Sequence, residues 1–314
     1  MEHNGMILRA QGCLLGQLSG DALGSLVEFR SPESIRDEYP EGVRDLADGG
    51  CWDTIAGQPT DDSEMALLLA RLLVRTGSYD AESAQEAYIY WLNSDPFDCG
   101  MTISSSLRGI PNPDSQANGA LMRISPLGIF GARHEMKQTA AWAMQDAELT
   151  HPHPVCLQAN ALFAMAIARA VKQETEPDIL YGEIRQWAKE MSADQSLTDV
   201  IARAADEPPE DYLHMQGWVL IAFHNALYQL LHAENTEEGI IDTVMHGGDT
   251  DTNAAICGVL LGAVHGKASI PPRWTEILLN CRPEQGRAGV IHPRPECFWP
   301  TDALEIAREL VFPS

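Results

Sequence analysis

Residues 7–28, ILRAQGCLLGQLSGDALGSLVE, decide the fold class. Apolar side chains recur in them every three or four positions, the period of a helix with a buried face. Gly16, Ser19, Gly20 and Gly24 keep the same spacing. Small residues on one helix face let a neighbouring backbone come close, so this segment is expected in a crowded interior. Gly258 and Gly262 repeat the device in a second apolar run, 253–265. These two helices are expected to be central, with their ends meeting near the functional site.

Helical spacing returns through 63–75, 82–93, 138–148, 155–172, 217–232, 237–246 and 302–312. No alternating or β-branched stretch long enough for a strand lies between them, and the class that follows is all-α. Helix breakers cluster at 31–59, 94–119, 206–216 and 281–301. Loops of that length in a compact domain are often functional. With no repeat, low-complexity tract or charged linker, residues 1–314 read as a single domain with long loops over one face.

The composition narrows the functions. A chain of 314 residues with 45% hydrophobic content can bury a large core. Its formal charge of -24 argues against binding a nucleic-acid backbone or an anionic membrane. No run approaches the roughly 20 apolar residues of a membrane span. The start of the chain carries Glu2 and no basic lead into an apolar stretch, unlike a secretory signal, so a cytoplasmic location is expected. Cys13, Cys51, Cys99, Cys156, Cys257, Cys281 and Cys297 form no CxxC pair and fit reduced thiols better than a disulfide framework or a zinc site.

Two acidic turns, Thr60-Asp61-Asp62 and Gly247-Gly248-Asp249-Thr250-Asp251-Thr252, each precede an apolar helical run. Such residues serve as helix caps, and Asp61 with Glu64 has capping-box spacing. One cap needs one side-chain oxygen, however, and the turns together offer four carboxylates besides their hydroxyls. A hard divalent cation, Mg²⁺ or Mn²⁺, takes such ligands. Spacing alone leaves capping and cation binding both open. Other chemistries lack an anchor: no GxGxxG is present, Leu261 and Ala268 spoil a phosphate loop around Gly266-Lys267, and Gln17 spoils a nucleophile elbow at Ser19. His151-Pro152-His153-Pro154 has no further ligands at zinc spacing.

Taken in order, Gly20-Asp21-Ala22-Leu23-Gly24, Val27-Glu28-Phe29, Thr60-Asp61-Asp62-Ser63-Glu64-Met65, Asp98-Cys99-Gly100, Asn118-Gly119-Ala120-Leu121-Met122-Arg123, Thr150-His151 and the second acidic turn resemble the ADP-ribosylglycohydrolase family. The resemblance spans about residues 7–275. It implies an all-α fold with two Mg²⁺ or Mn²⁺ ions at the base of an ADP-ribose cleft. Thr60, Asp61 and Asp62 are implied on one side of the metal pair and Asp249, Asp251 and Thr252 on the other, with Asp251 as the bridge. Asp98 matches the family's catalytic aspartate, and Glu28 matches an acid held close to metals and ribose. Gly100, Met101, Asn118, Gly119, Met122, His151, Tyr212, Gly247 and Gly248 are implied as substrate contacts, with Trp218 beside Tyr212 as an aromatic wall.

The chain departs from the family at Met101, where asparagine is frequent, and at Ala117, where glycine is usual. The implied reaction is hydrolysis of the N-glycosidic bond from ADP-ribose to a guanidinium, with an ADP-ribosylated protein as partner. Serine-linked ADP-ribose, O-acetyl-ADP-ribose and a non-catalytic binding or structural role are the rival readings. Arg282, Arg287, Arg294 and Phe298-Trp299-Pro300 lie in a tail outside the resemblance, expected to pack across the domain and lead into a last helix.

Overall fold

Where small residues recur along the first apolar run, the chain forms helix α1 (Glu2–Gly24). In the computed structural model, which describes residues 2–313, there follow α2 (Pro32–Glu38), α3 (Asp61–Thr76), α4 (Ala81–Leu92), α5 (Met101–Leu107), α6 (Ser125–Gly131), α7 (Met136–Glu148) and α8 (Pro154–Lys172). The second half holds α9 (Pro177–Glu190), α10 (Gln195–Arg203), α11 (Val219–His232), α12 (Thr236–Met245), α13 (Thr250–His265), α14 (Pro272–Asn280) and α15 (Ala303–Val311). Two isolated bridges, Gly49 with Thr54 and Ala117 with Trp218, are the β pairing among the described residues. The fold is all-α.

The glycines do what their spacing suggests. A Cβ built on Gly16 would fall on the Gly258 carbonyl, one on Gly20 on Ala254, one on Gly24 on the backbone of Thr250 and Asp251, and one on Gly262 on Gly12. Partners that fall in number on one helix as they rise on the other make α1 and α13 antiparallel. Among the described residues no other pair of helices packs so extensively. This contact sets the C-terminal turn of α1, with Asp21, beside the N-terminal turn of α13, with Asp251.

The same substitution therefore has opposite effects at two helical positions. Gly16→Ala has no room, and overpacking of this kind costs about 1–3 kcal/mol. Gly182, in α9, would meet nothing within 4 Å. There, alanine's better helix propensity gains up to about 1 kcal/mol. Urea denaturation of both variants measures the two signs.

The nine helices expected from apolar runs are all present, with ends shifted by a few residues. Six more appear. Helices α2 and α5 lie inside stretches expected to be loops, and α9 and α10 are short amphipathic helices whose stripes, Leu180, Tyr181, Ile184 and Ala188, then Leu197 and Ile201, are buried. Helix α8 is long and apolar enough, by length and composition, to cross a membrane. Gln158 and Asn160 interrupt its apolar run, and most of it lies buried inside the protein.

Candidate functional site

Both acidic turns start helices, and neither uses its first side chain as a cap. Thr60 stands at the N-cap of α3 and Asp249 at that of α13, each without a side-chain capping bond. The free amides of α3 are met instead from α1. Asp21 accepts from Thr60 N at 3.2 Å and from Ser63 N at 3.1 Å, and Thr60 Oγ1 lies 2.9 Å from Asp21 Oδ1. The expected capping box is absent too. Asp61 is the first helical residue, with Oδ2 accepting from Gly100 N at 3.2 Å, while Glu64 turns away to Arg294 and Trp91.

Freed from capping, the carboxylates converge. One oxygen each of Asp21, Asp62 and Asp251 lie within 4.8 Å of one another, and so do oxygens of Glu28, Asp249 and Asp251. Asp251 belongs to both groups. Thr60 Oγ1 is 3.2 Å and Thr252 Oγ1 3.3 Å from Asp62 Oδ2, so both hydroxyls edge the first group. Asn118 Nδ2 donates to Asp249 Oδ2 at 2.6 Å. Trp52 Nε1 at 2.8 Å and Cys51 Sγ at 3.2 Å donate to Glu28 Oε2, which holds that side chain against the second group.

Such a cluster is costly without a counter-charge. Among the described residues no Lys, Arg or His forms a salt bridge with Asp21, Glu28, Asp61, Asp62, Asp98, Asp249 or Asp251. Burial first, and repulsion from Asp249 second, push Glu28 up to about 7. Burial, followed by the charges of Asp61 and Glu28, pushes Asp98 up to about 10. Asp62 and Asp251 are raised well above the carboxylate range by burial and then by their acidic neighbours. Asp62 Oδ1 is buried with no hydrogen-bond partner. An all-oxygen set of buried, mutually repelling donors is what a hard divalent cation neutralises, and neither group contains His or Cys. The residues fit the metal reading.

Asp98 sits half-buried on the loop between α4 and α5, two residues before the Gly100 amide that binds Asp61. Met101, at the start of α5, is 89% exposed. Several other expected substrate contacts support the site from within. Gly247 and Gly248 have φ of 73° and 76°, and both amides are engaged, Gly247 N with Val244 O at 3.2 Å and Gly248 N with Arg30 O at 3.0 Å. Phe29 N returns a bond to Gly248 O at 2.7 Å. This pairing ties the Glu28 segment to the start of α13, and both amides are engaged within the turn.

Tyr212 is buried behind that turn. Its hydroxyl donates to Asn225 Oδ1 at 2.7 Å and its ring stacks on His246 at 4.3 Å. Trp218, half-buried, donates to Gln116 Oε1 at 3.0 Å. Met122 is core, its carbonyl accepting from Gln17 Nε2 at 2.8 Å. His151 lies enclosed beneath Gly119, where a Cβ would press on its Cε1 and on Ile103. Burial lowers its pKa to about 3, so the ring is neutral. Thr150 Oγ1, 2.8 Å from His151 Nδ1, also accepts from the buried Arg123, itself paired with Asp146 at 3.1 Å.

Sequence reasoning gave Asp21 no role, although a carboxylate in the middle of an apolar helix was itself a signal, since Asp is rarely buried without a purpose. Trp52 and Cys51 carried no signal, because only the bridged turn 49–54 folding back on Ser25 brings them to Glu28.

Comparison with known proteins meets this geometry. The sequence profile described as ADP-ribosylglycohydrolase matches residues 3–298. The ADP-ribosyl-(dinitrogen reductase) glycohydrolase of Rhodospirillum rubrum is 30% identical, over 85% of this chain and 88% of its own length. The ADP-ribosylarginine hydrolase Tri1 of Pseudomonas putida is 28% identical, over 85% of this chain and 73% of its own. A solved structure titled ADP-ribosylglycohydrolase-related protein complex superposes with a TM-score of 0.80, covering 98% of both chains at 24% identity, and shows the same fold.

Proposed function

The chain belongs to the ADP-ribosylglycohydrolase family, and from that premise we propose that it removes ADP-ribose from modified arginine side chains of proteins with the help of two Mg²⁺ or Mn²⁺ ions. The observation that carries this reading is the pair of buried carboxylate groups sharing Asp251, which have no salt bridge to Lys, Arg or His among the described residues. Asp62, Asp249 and Asp251, with Thr60, Thr252 and Asp61 around them, would hold the ions, and Glu28 closes the second group. The ions supply Lewis acidity, which is worth several kcal/mol of charge stabilisation in a glycosidic transition state.

This chain's own residues do the rest. Asp98 stands on the loop beside the cluster; bound cations would offset the Asp61 and Glu28 charges that, after burial, raise its pKa, and so return it to the carboxylate that takes the proton of the attacking water as general base. Glu28, fixed by Trp52 and Cys51, positions the ribose. Asn118 holds Asp249 in orientation. A guanidine leaves readily only with its proton retained, so the site's task is to stabilise charge on the sugar and deliver water.

Arginine is favoured as acceptor for two reasons. The Pseudomonas putida relative is named an ADP-ribosylarginine hydrolase. A guanidinium is also attracted to a cleft in a field of net charge -24. A cytoplasmic setting belongs to the same reading, and all seven cysteines are free thiols. The test is release of ADP-ribose from matched peptides modified on arginine or on serine under the same Mg²⁺. The arginine peptide is expected to react roughly tenfold faster or more, the low end of the discrimination that differing contacts to two substrates give. Faster cleavage of the serine peptide overturns the acceptor and leaves the hydrolase class standing.

A further inference from the structure

We propose that the tail, residues 282–299, carries the positioning residues of the Asp98 loop: Arg294 fixes its backbone, and His292 fixes Phe97, the residue just before Asp98. The proposal rests on the reading of Asp98 as the catalytic base.

Arg294 is a buried guanidinium with every N–H engaged. Nε donates to Glu64 Oε1 at 2.7 Å and Nη2 to Glu64 Oε2 at 2.8 Å. Nη2 also reaches Ser94 Oγ at 2.8 Å, and Nη1 donates to the carbonyls of Ser94 at 2.7 Å and Asp95 at 3.1 Å. Its ring of partners joins two things the chemistry needs in register: the first turn of α3, which carries Asp61 and Asp62, and the turn that leads into Asp98. Asp95 has φ of 57°, the left-handed region that non-glycine residues seldom adopt, and Arg294 grips the carbonyls on both sides of that rotation. A lysine has three donors on a point charge and cannot reproduce this planar set.

A second link runs through aromatic rings. His292 stacks on Phe97 with centroids 4.8 Å apart and planes 29° from parallel. Phe97 in turn meets Trp52 at 6.0 Å, and Trp52 is the residue that donates to Glu28. Phe97 thus connects the tail to both candidate catalytic acids. The tail also packs on Arg71 of α3 and Tyr90 of α4, but Arg294 and His292 are the tail residues that reach Ser94, Asp95 and Phe97, three residues that lead into Asp98.

Three variants decide it, assayed on an ADP-ribosylated arginine peptide with saturating Mg²⁺, with ADP-ribose affinity measured by calorimetry. His292→Ala should lower kcat about tenfold with ADP-ribose affinity and metal dependence unchanged, and His292→Phe, which keeps the stack, should restore it. Arg294→Lys should lower kcat about 10²-fold, the scale of a small misplacement of a reacting group, in protein shown by circular dichroism to be folded at the assay temperature. Asp98→Asn is the reference. If it is inactive while His292→Ala turns over like wild type, or if His292→Phe fails as badly as alanine, the positioning role is overturned. If Asp98→Asn itself keeps its turnover, the catalytic reading fails and takes the tail's role with it, and the reference variant tells the two failures apart.

Discussion

Asp251→Ala is expected to lose catalysis by about 10³-fold or more, and at the same time to lose the response of its melting temperature to Mg²⁺. Asp251 is the one carboxylate common to both groups, so its removal strips a ligand from each. Several kcal/mol of transition-state stabilisation is what a Lewis-acidic ion supplies, and about 4 kcal/mol corresponds to 10³ in rate. The wild-type protein should melt higher with metal than after exhaustive chelation, because a ligand that binds only the folded state stabilises it by about 2.7 kcal/mol at a hundredfold excess over Kd.

The charge balance adds a sharper expectation. Without metal these buried acids must either repel one another as carboxylates or take up protons that they would not hold in the unfolded chain; both cost stability, and removing one acid relieves that cost. Metal-free Asp251→Ala should therefore melt no lower than metal-free wild type, although a buried side chain has been cut back. Differential scanning calorimetry of both proteins, with chelator and with Mg²⁺, reads all four values. A wild-type melting temperature indifferent to chelation would refute the metal site.

The parts of this molecule legible in sequence are those set by near neighbours. Glycine at every fourth residue of 12–24 and at 258 and 262 shows that two helices touch, and α1 and α13 do. The surplus of carboxylates in two turns was equally plain. The choice between cap and cation ligand was not, because it depends on Asp21 arriving from another helix to bind the amides of α3. Glu64 shows the same limit: its spacing to Asp61 suggests a local capping box, yet a buried arginine 230 positions away takes both its oxygens. At Gly247-Gly248 the residue type was informative but did not say what the glycines are for: both have a positive φ, and a Cβ would fall on the Arg30 carbonyl at Gly247 and on the Tyr212 carbonyl at Gly248. Short amphipathic helices such as α10 were missed for a plainer reason, their stripes being only a few residues long.

Asp98→Asn should separate chemistry from binding. Asparagine keeps the size and planarity of the side chain and removes its ability to take a proton, and general-base catalysis contributes about 10²–10⁴-fold. Asp98 is outside both carboxylate groups that would hold the ions, so its loss as a charge does not remove a ligand. Turnover of an ADP-ribosylated arginine peptide should fall by that factor, while ADP-ribose affinity and the Mg²⁺ concentration for half-maximal stabilisation stay within a few-fold of wild type. A fall in kcat with binding retained is the signature of an interaction made only in the transition state. The same change at Asp62 should behave differently, because Asp62 contributes an oxygen to the first group and its Oδ2 meets both Thr60 and Thr252. Its amide variant should lose metal affinity first and turnover as a consequence, recoverable in part at high Mg²⁺. Recovery of Asp98→Asn by excess Mg²⁺ would place Asp98 among the ligands and remove it from proton transfer.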